Sequence, residues 1–342
     1  TALTKIHLPQ NLKEVEEARK RLAFDELFLT QLLSQMRRKK WQQEQIAPKI
    51  IVDQSILTGF IQNLPFVLTG AQNRAIGELL GDMQNTVPTN RLLEGDVGSG
   101  KTVVAAAACL IAANNNLDSL IAVPTEILAF QHYKTLTDLL SRFNITVGIW
   151  TASKKNSGQV TCGTHALLTS YKPKRQVGLV VVDEQHRFGV AQRAKLFLNV
   201  SKKFTPHLLT MTATPIPRTL ALTLYGDLDL SVLDEMPKGR QKISTFVVPN
   251  KKRGDCYKFI QKEVAGGKQA FVVTPFVEPS ETMTTVKAAK DEFENLKTKF
   301  SSKTKLGLLH GKLKSKEKET VINKFKAGKI QILVATPVVE VG

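Results

Sequence analysis

The stretch Gly95-Asp96-Val97-Gly98-Ser99-Gly100-Lys101-Thr102 decides the fold of this chain. It matches the phosphate-binding loop pattern, in which two glycines separated by four residues are followed by Lys and Thr. The apolar pair Leu92-Leu93 precedes it and the small-residue segment 103–113 follows, so we predict a strand, a loop and a helix in that order. The backbone N–H groups of such a loop surround a phosphate chain, and the helix N-terminus adds partial positive charge.

Each residue type in this loop has a defined role toward phosphates. Gly95, Gly98 and Gly100 allow the backbone to turn inward. Lys101 is predicted to reach the β- and γ-phosphates, and the Thr102 hydroxyl is predicted to bind Mg²⁺. A chance glycine turn is the alternative, but the strand and helix signals on either side favour the phosphate site.

An acidic motif, Asp183-Glu184-Gln185-His186, directly follows the apolar, β-branched segment 178–182. A carboxylate at the carboxyl end of a buried parallel strand lies where open α/β sheets bind ligands. Asp183 is therefore predicted to hold Mg²⁺ through water, and Glu184 to orient and deprotonate an attacking water. A surface acidic turn is the alternative, which the phosphate-binding loop upstream disfavours.

The composition is that of a globular protein of about two domains, with 342 residues of which 42% are hydrophobic and 23% charged. No apolar run has the length of a membrane span, and the N-terminus has no signal-peptide pattern. Cys109, Cys162 and Cys256 have no metal-ligand or disulfide spacing, which favours a reducing compartment. We therefore expect a cytoplasmic protein with no membrane partner.

The formal net charge of +18 is unevenly distributed along the chain. Residues 238–342 carry 22 Lys and Arg against 10 Asp and Glu, and the other residues carry 26 against 20. This excess of +12 in one part of the chain indicates a polyanionic partner. A lysine-rich surface that only keeps the protein soluble is the alternative.

Apolar periodicity divides the chain into three parts, 1–63, 64–237 and 238–342. The first is a helical linker, with a long helix over 11–45 whose apolar stripe is predicted to pack on the next domain and a connector over 46–63. The other two are α/β domains with parallel sheets, separated by a hinge over 236–240. Strands are predicted at 92–94, 120–123, 146–150, 166–169, 179–182 and 208–212 in the first domain, and at 270–274, 306–309 and 331–335 in the second. Helices are predicted at 127–140, 281–299 and 316–325.

The order of the motifs resembles that of the superfamily-2 helicases and, within them, the RecG family of branch-migrating DNA helicases. The segments that carry the resemblance cover nearly the whole chain: 18–27, 64–69 with Gln72, the phosphate-binding loop, 122–129, 163–167, 183–189, 211–219, 225–229 and 309–311. The resemblance implies two RecA-like parallel-sheet lobes in tandem, the second incomplete, preceded by a long N-terminal helix.

The resemblance also assigns roles to site residues. It implies that ATP is the nucleotide, that Gln72 reads adenine beside Phe66, and that Gln185 and His186 act in catalysis with Lys101, Asp183 and Glu184. The resemblance also implies that the following residues contact nucleic acid or couple hydrolysis to it: Pro124, Thr125, Glu126, Gly163, Thr164, His165, Thr212, Thr214, Arg218, His310, Gly311 and Thr336.

Other roles for some of these residues stay open from the sequence. Gln72 can be a solvated helix glutamine, His186 can be structural, and Arg218 can pair with a local carboxylate. Thr212 and Thr214 can cap the next helix instead of relaying between Glu184 and nucleic acid.

The activity implied is ATP-dependent translocation on double-stranded DNA, with fork regression and Holliday-junction branch migration in DNA repair and recombination. The expected partners are branched DNA, that is, forks and Holliday junctions, and the expected form is a monomeric, nucleoid-associated motor. The alternatives are another superfamily-2 translocase, such as a transcription-repair coupling factor, and a nucleotide-gated nucleic-acid-binding module. The Gly98-Ser99-Gly100 variant favours RecG, and intact Lys101, Asp183 and Glu184 favour catalysis.

Two departures from the family pattern give further expectations. The family's N-terminal wedge domain and its arginine finger are expected to lie outside these 342 residues. Within the motif at 336–340, Pro337 stands where the family has a second small hydroxyl residue, and proline removes a backbone donor there.

Overall fold

A computed structural model of the chain describes residues 1–184, 204–214, 228–236, 243–274, 282–300, 304–313 and 315–336. The chain divides into two compact units, one of Thr1–Pro124 with Ala129–Arg240 and one of Thr125–Leu128 with Gln241–Gly342. Of the predicted hinge over 236–240, only Met236 lies among the described residues.

The N-terminal part consists of α1 (Ala2–His7) and the 33-residue α2 (Leu12–Glu44), close to the predicted span of 11–45. The prediction that its apolar stripe packs on the next domain is wrong over most of the helix. Ala18 is buried, but the larger stripe residues Leu12, Leu29, Leu32, Leu33 and Met36 are all 45–84% exposed. A polar contact instead joins α2 to the start of the strand Asp229–Leu233, because Arg38 Nη2 lies 2.8 Å from the Asp229 carboxylate.

The first unit is built on an eight-stranded sheet, the large sheet, in the order β4-β3-β5-β2-β6-β7-β1-β8. Its paired strands are parallel, except that β4 runs antiparallel to β3. The strands are β1 (Asn90–Gly95), β2 (Asp118–Ala122), β3 (Val147–Trp150), β4 (Lys155–Asn156), β5 (Val160–Gly163), β6 (Val177–Asp183), β7 (His207–Thr212) and β8 (Asp229–Leu233). The helices of this part are α3 (Gln54–Gln62), α4 (Gly70–Met83), α5 (Lys101–Asn114), α6 (Glu126–Leu140) and α7 (Ala166–Thr169).

The core lies around the strands and helix that flank the phosphate-binding loop. All seven residues of β6 are buried, as its apolar sequence predicts for a central parallel strand. In α5 every residue from Val103 to Ala113 is buried. A helix that is apolar all round is buried on all sides, so α5 is held firmly where the loop ends.

Ionic contacts fix β1, the strand that leads into the loop. The buried Arg91 donates to Asp82 and Glu78 of α4 and to the Ser231 hydroxyl of β8, at 2.7–3.0 Å. Burial raises the pKa of Asp82 even though Arg91 acts in the opposite direction. These contacts tie β1 to the helix and strand beside it.

One prediction for this unit needs correction, and some of its elements were not predicted. Residues 166–169 are helical, and the missed strand is β5, just upstream. The apolar run Ala-Leu-Leu is too short for periodicity to distinguish strand from helix, whereas Val160-Thr161 is β-branched. The connector over 46–63 contains α3, whose N-cap is Asp53, and β8 was not predicted.

The second unit contains a smaller sheet, here called the small sheet, in the order β10-β11-β9 with all pairs parallel. Its strands are β9 (Ala270–Val273), β10 (Leu306–Leu309) and β11 (Ile332–Ala335). Its helices are α8 (Arg253–Ala265), which was not predicted, α9 (Thr282–Lys299) and α10 (Ser315–Lys326). In the part of the chain that the structure describes, no helix combines the length and apolar character of a membrane span.

Candidate nucleotide and nucleic-acid site

The candidate site lies along one edge of the large sheet. Since its principal strands are parallel, the loops that follow β1, β2, β3, β5, β6 and β7 leave the sheet at the same edge. Open α/β sheets bind ligands at this carboxyl edge. The strand order separates two groups of loops, those of β6, β7 and β1 on one side and those of β2, β5 and β3 on the other.

The phosphate-binding loop connects β1 to α5. Gly98 and Gly100 have φ values of 81° and 86°, in the left-handed region that glycine adopts without strain. A Cβ at Gly95 would collide with the Ser99 hydroxyl and with Leu233 of β8, so this position also requires glycine. The sequence pattern therefore reflects two demands, backbone conformation within the loop and close packing at its start.

Lys101 begins α5 and folds back over the loop. Its Nζ donates to the carbonyl oxygens of Gly95 at 2.6 Å and of Asp96 at 3.1 Å. Burial lowers the pKa of Lys101, while the charges of Asp183, Glu184 and Asp96 act in the opposite direction. The structure thus brings the lysine of the first motif near both carboxylates of the acidic motif.

Gln72 braces the phosphate-binding loop from α4. It is 2% exposed, and its Oε1 accepts from the Thr69 N–H while its Nε2 donates to the Ser99 carbonyl at 2.8 Å. It is therefore not a solvated helix glutamine. An amide has two donors and two acceptor lone pairs, and these two bonds use one of each. Phe66, predicted to lie beside the base, is 47% exposed ahead of α4.

The acidic motif lies at the end of β6. Asp183 is buried, and its Oδ1 accepts from the Glu184 N–H at 3.1 Å. The same N–H lies 3.1 Å from the Met211 carbonyl of β7. Glu184 has a φ of 54°, which is unusual for a residue with a side chain, and such backbone strain clusters at functional sites.

His132 is a site residue that the sequence reasoning missed. Its Nε2 lies 2.8 Å from Asp183 Oδ2, and both side chains are largely buried. The available signal was the spacing of Ala129, His132, Leu136 and Leu140, which form the buried face of α6. A histidine on an otherwise apolar helix face needs a polar partner, and Asp183 is that partner here.

Mg²⁺ fits this set of residues as an ion that arrives with a nucleotide. Among the described residues there is no group of three or more His, Cys, Asp or Glu side chains that could hold a metal ion. Mg²⁺ is commonly bound by one or two protein oxygens with phosphates and waters completing its shell. The Thr102 hydroxyl at the start of α5 and the Asp183 carboxylate supply ligands of that kind.

Thr212 ends β7 and Thr214 follows it, beside the acidic motif. Their hydroxyl groups lie 2.8 Å apart, and the Thr214 N–H donates to the Thr212 hydroxyl at 3.3 Å. The strand register places Met211 opposite Asp183, so these hydroxyls leave the sheet next to Glu184. Gln185, His186 and Arg218, together with the segment that the two threonines were alternatively expected to cap, lie outside the described residues.

The loops after β2, β5 and β3 form the second group. Backbone bonds join them, because Val123 N–H donates to the Gly163 carbonyl at 2.9 Å and Thr164 N–H donates to the Trp150 carbonyl at 3.3 Å. The structure therefore brings Pro124 close to the Gly163-Thr164-His165 segment. Thr125 accepts from the Leu128 N–H at 3.3 Å just ahead of Glu126, where α6 begins.

The turn between β3 and β4 adds basic side chains that the sequence reasoning did not single out. Lys154 Nζ lies 5.6 Å from the ring centre of Tyr133, and Lys155 Nζ lies 5.7 Å from that of Trp150. Both lysines are exposed at the edge where β3 ends. Lysines interleaved with aromatic rings are typical of surfaces that bind single nucleic-acid strands.

In the second unit, His310 and Thr336 lie at the carboxyl edge of the small sheet. The Thr336 N–H donates to the Leu309 carbonyl at 3.1 Å, directly before His310 and Gly311. His310 is 6% exposed, and its Nδ1 has no hydrogen-bond partner within the described part of the chain. Burial and the charges of three nearby lysines, Lys290, Lys318 and Lys312, lower its pKa. Pro337, the departure from the family pattern, lies outside the described residues.

Comparison with known proteins identifies the family. The DEAD/DEAH box helicase family matches residues 69–223, and the helicase conserved C-terminal domain matches residues 251–342. The ATP-dependent DNA helicase RecG of Synechocystis sp. is 44% identical over 100% of this chain, and that of Thermotoga maritima is 44% identical over 98%. The chain belongs to the RecG helicase family. It spans 42% and 44% of the length of these two relatives.

Solved structures agree with this placement in the RecG family. A RecG bound to a three-way DNA junction is 39% identical, covers 98% of this chain with a TM-score of 0.80, and is itself covered over 45% of its length. Dbp5 of S. cerevisiae bound to RNA has a TM-score of 0.61 at 17% identity and therefore shows only the shared fold. The prediction of two parallel-sheet helicase lobes preceded by a long helix is confirmed.

Proposed function

We propose that this chain is the ATP-driven motor of a RecG-type DNA helicase. The observation that carries the proposal is the sharing of one sheet edge by two groups of loops. The loops after β1, β6 and β7 hold the phosphate-binding and acidic motifs, and those after β2, β5 and β3 hold the motifs expected to contact nucleic acid. Because β6 and β2 are neighbouring strands, a structural change in the loops of one group can reach the loops of the other across a short distance.

On the nucleotide side, each residue acts by position and charge. In phosphoryl transfer most of the catalysis comes from placing the reacting groups and stabilising charge. Lys101, which donates to the Gly95 and Asp96 carbonyls, would turn to the β- and γ-phosphates when ATP binds. Thr102 and Asp183 would hold Mg²⁺, and this ion would supply neutralisation of negative charge on the phosphates. Glu184 orients the attacking water and accepts its proton.

The nucleotide base and the coupling to DNA involve further residues. Counting the bonds within the described residues, Gln72 has one donor and one acceptor left, which is the pair that adenine's edge needs. We propose that Thr212 and Thr214, whose hydroxyl groups are bonded to each other, couple the acidic motif to nucleic acid, together with His186 and Arg218 as the family resemblance implies.

On the nucleic-acid side, the proposed substrate is branched DNA. The RecG structure of the comparison is bound to a three-way DNA junction, and this chain is 39% identical to that protein. We propose that the chain contacts the phosphate backbone through Pro124, Thr125, Glu126 and the Gly163-Thr164-His165 segment, and through His310, Gly311 and Thr336. The whole protein then regresses forks and migrates Holliday junctions as a monomer at the nucleoid.

The experiment that tests this function compares Lys101→Ala with the unaltered protein. The change removes the phosphate-binding cation, so we expect loss of productive ATP binding and of DNA-stimulated hydrolysis with an unchanged unfolding temperature. Lys172→Ala, at an exposed position, is the matched control and should leave both unchanged. Equal ATP affinity in Lys101→Ala and the unaltered protein contradicts the assignment, and stimulation that is no greater with a three-way junction than with plain duplex contradicts the proposed substrate.

A further inference from the structure

His132 lies outside the segments that carry the family resemblance, and it forms a buried polar pair with Asp183 of the acidic motif. His132 Nε2 lies 2.8 Å from Asp183 Oδ2, with side-chain exposures of 8% and 12%. A carboxylate only accepts hydrogen bonds, so the hydrogen of this bond is on Nε2. The other carboxylate oxygen accepts from the Glu184 N–H at 3.1 Å, and the two bonds therefore hold both oxygens of Asp183.

The surroundings of His132 indicate that it is there for this bond. The other residues on the buried face of α6 are Ala129, Leu136 and Leu140, all apolar. A leucine at position 132 would continue that face, whereas an imidazole there must find a partner for its N–H. The partner it finds is the carboxylate at the end of the central strand β6.

We propose that His132 is a positioning residue that fixes the orientation of the Asp183 carboxylate for Mg²⁺·nucleotide. The inference rests on the proposed function, in which Asp183 holds Mg²⁺. A carboxylate that is free to rotate about its side-chain torsion presents its oxygens in several directions, and binding Mg²⁺ then requires selecting one of them. Groups that hydrogen-bond a metal ligand orient it, and their loss typically weakens metal affinity by about 10–100-fold.

The location of His132 gives this contact a second consequence. Helix α6 begins at Glu126, in the segment proposed to contact DNA, and His132 lies less than two turns further along the same helix. A movement of α6 along or about its axis would therefore shift His132 and change the orientation of the Asp183 carboxylate.

The test measures Mg²⁺-dependent nucleotide binding, which does not require turnover. A fluorescent ATP analogue is titrated at a series of Mg²⁺ concentrations and in EDTA, with the unaltered protein, His132→Leu and His132→Gln. Leu retains bulk and removes the hydrogen bond, while the Gln side-chain amide can donate from nearly the position of Nε2. Thr135→Leu, on the exposed side of α6, is the control for a general effect on the helix.

We expect His132→Leu to raise the Mg²⁺ concentration for half-maximal binding by about 10–100-fold. Its affinity in EDTA should be unchanged, and His132→Gln and Thr135→Leu should stay near the unaltered protein. In a double-mutant cycle, adding His132→Leu to Asp183→Asn should have no further effect, because the histidine acts only through that carboxylate.

Several outcomes would overturn the proposal. An unchanged Mg²⁺ requirement in His132→Leu would do so, as would equal losses in His132→Leu and His132→Gln or additive effects in the cycle. If His132→Leu does not fold, His132→Asn, whose shorter amide does not reach Asp183, takes its place in the comparison with His132→Gln. If nucleotide binding by the unaltered protein does not depend on Mg²⁺, the proposed function is overturned as well. If it does depend on Mg²⁺ and His132→Leu has the same Mg²⁺ requirement, only this inference is overturned.

Discussion

The side-chain amide of Gln72 joins α4 to the phosphate-binding loop through a 2.8 Å hydrogen bond from its Nε2 to the Ser99 carbonyl. The same amide completes the N-terminal capping box of α4 with Thr69. A Cβ at Gly100 would collide with this amide, so the glycine is needed for the contact as well as for its φ of 86°. One residue therefore stabilises a helix start and the loop that is proposed to bind phosphates.

We expect Gln72→Ala to weaken both structures. The reciprocal capping bond is lost and the Ser99 carbonyl loses its partner, so the free energy of unfolding should fall by about 1–3 kcal/mol. ATP affinity should fall as well, because the loop is less restrained. Urea unfolding and a nucleotide titration measure the two effects.

Asn73→Ala is the neighbouring control for Gln72→Ala, since the exposed Asn73 bonds only within α4 and its N-cap. A variant Gln72→Ala with unchanged ATP affinity would show that the loop holds its shape without the amide. A reduced preference for ATP over GTP, beyond the common loss of affinity, would support the proposed reading of adenine by Gln72.

Glu184→Gln should separate nucleotide binding from hydrolysis. The substitution keeps the side-chain size and the backbone N–H contacts to Asp183 and Met211, but it removes the carboxylate that we propose accepts a proton from water. Loss of a general base typically costs about 10²–10⁴-fold in rate. Single-turnover hydrolysis and a binding titration would check this, and an unchanged turnover number would show that another group positions the water.

The lysines of the β3–β4 turn should contribute to DNA affinity without affecting sequence preference. Replacing Lys154 and Lys155 by Gln removes two candidate phosphate contacts, each worth about 0.7–0.9 in the slope of log affinity against log salt. The loss should be the same for two unrelated DNA sequences, and ATP affinity should not change.

The control for the lysine pair is Lys13→Gln with Lys20→Gln, which removes the same charge from exposed positions on α2. Fluorescence anisotropy at several salt concentrations gives both slopes. Equal slopes in the two double variants would argue that the turn is a solvated surface. A flat salt response in the unaltered protein would contradict electrostatic binding altogether.

His207 should make the first unit less stable in acid. Its Nε2 lies 3.1 Å from the Pro48 carbonyl and its Nδ1 accepts from the Thr89 N–H at 3.2 Å, and burial lowers its pKa below the ordinary 6.5. Just below pH 6.5, His207 therefore binds a proton more readily in the unfolded chain than in the folded chain. Stability from this residue is complete above pH 6.5 and is lost as the pH falls below that value, by up to about 1.4 kcal/mol per pH unit.

Urea unfolding at pH 8, 7, 6 and 5 measures this effect. His207→Asn should be less stable than the unaltered protein at pH 8, because the bond to Pro48 is lost, but its stability should fall less steeply between pH 7 and 5. His7→Asn, at an exposed position on α1, should keep the steep fall. Parallel pH profiles for His207→Asn and the unaltered protein would assign the acid sensitivity to other groups.

Much of the fold could be predicted because its signals are local. Eight of the nine predicted strands overlap observed strands, since strands in parallel sheets are apolar along most of their length. They are those at 92–94, 120–123, 146–150, 179–182, 208–212, 270–274, 306–309 and 331–335. The error at 166–169 arose where a short apolar run gives no period to measure. The apolar stripe on α2 was interpreted as a packing face because apolar residues at helical spacing lie on one side of a helix. Whether another part of the chain covers that side depends on residues distant in sequence, and most of the large stripe residues are exposed.

The sequence by itself determined the predicted chemistry of the nucleotide side. Glycine at defined positions, then Lys101 and Thr102, and a carboxylate pair after an apolar strand form a pattern that depends only on neighbouring residues. The positive φ values of Gly98 and Gly100 and the position of Asp183 at the end of β6 agree with that pattern.

Only the tertiary structure decided which residues support that chemistry. His132 meets Asp183, and the lysines of the β3–β4 turn join the edge of the candidate DNA site, because the strand order places β3, β5, β2 and β6 side by side. Gln72 meets Ser99 because α4 packs on α5 and β8. These partners are up to 51 residues apart in the chain, and no local pattern records the pairing. Local spacing fixes what a backbone segment can do, but hydrogen bonds between segments depend on the order in which the sheet assembles them.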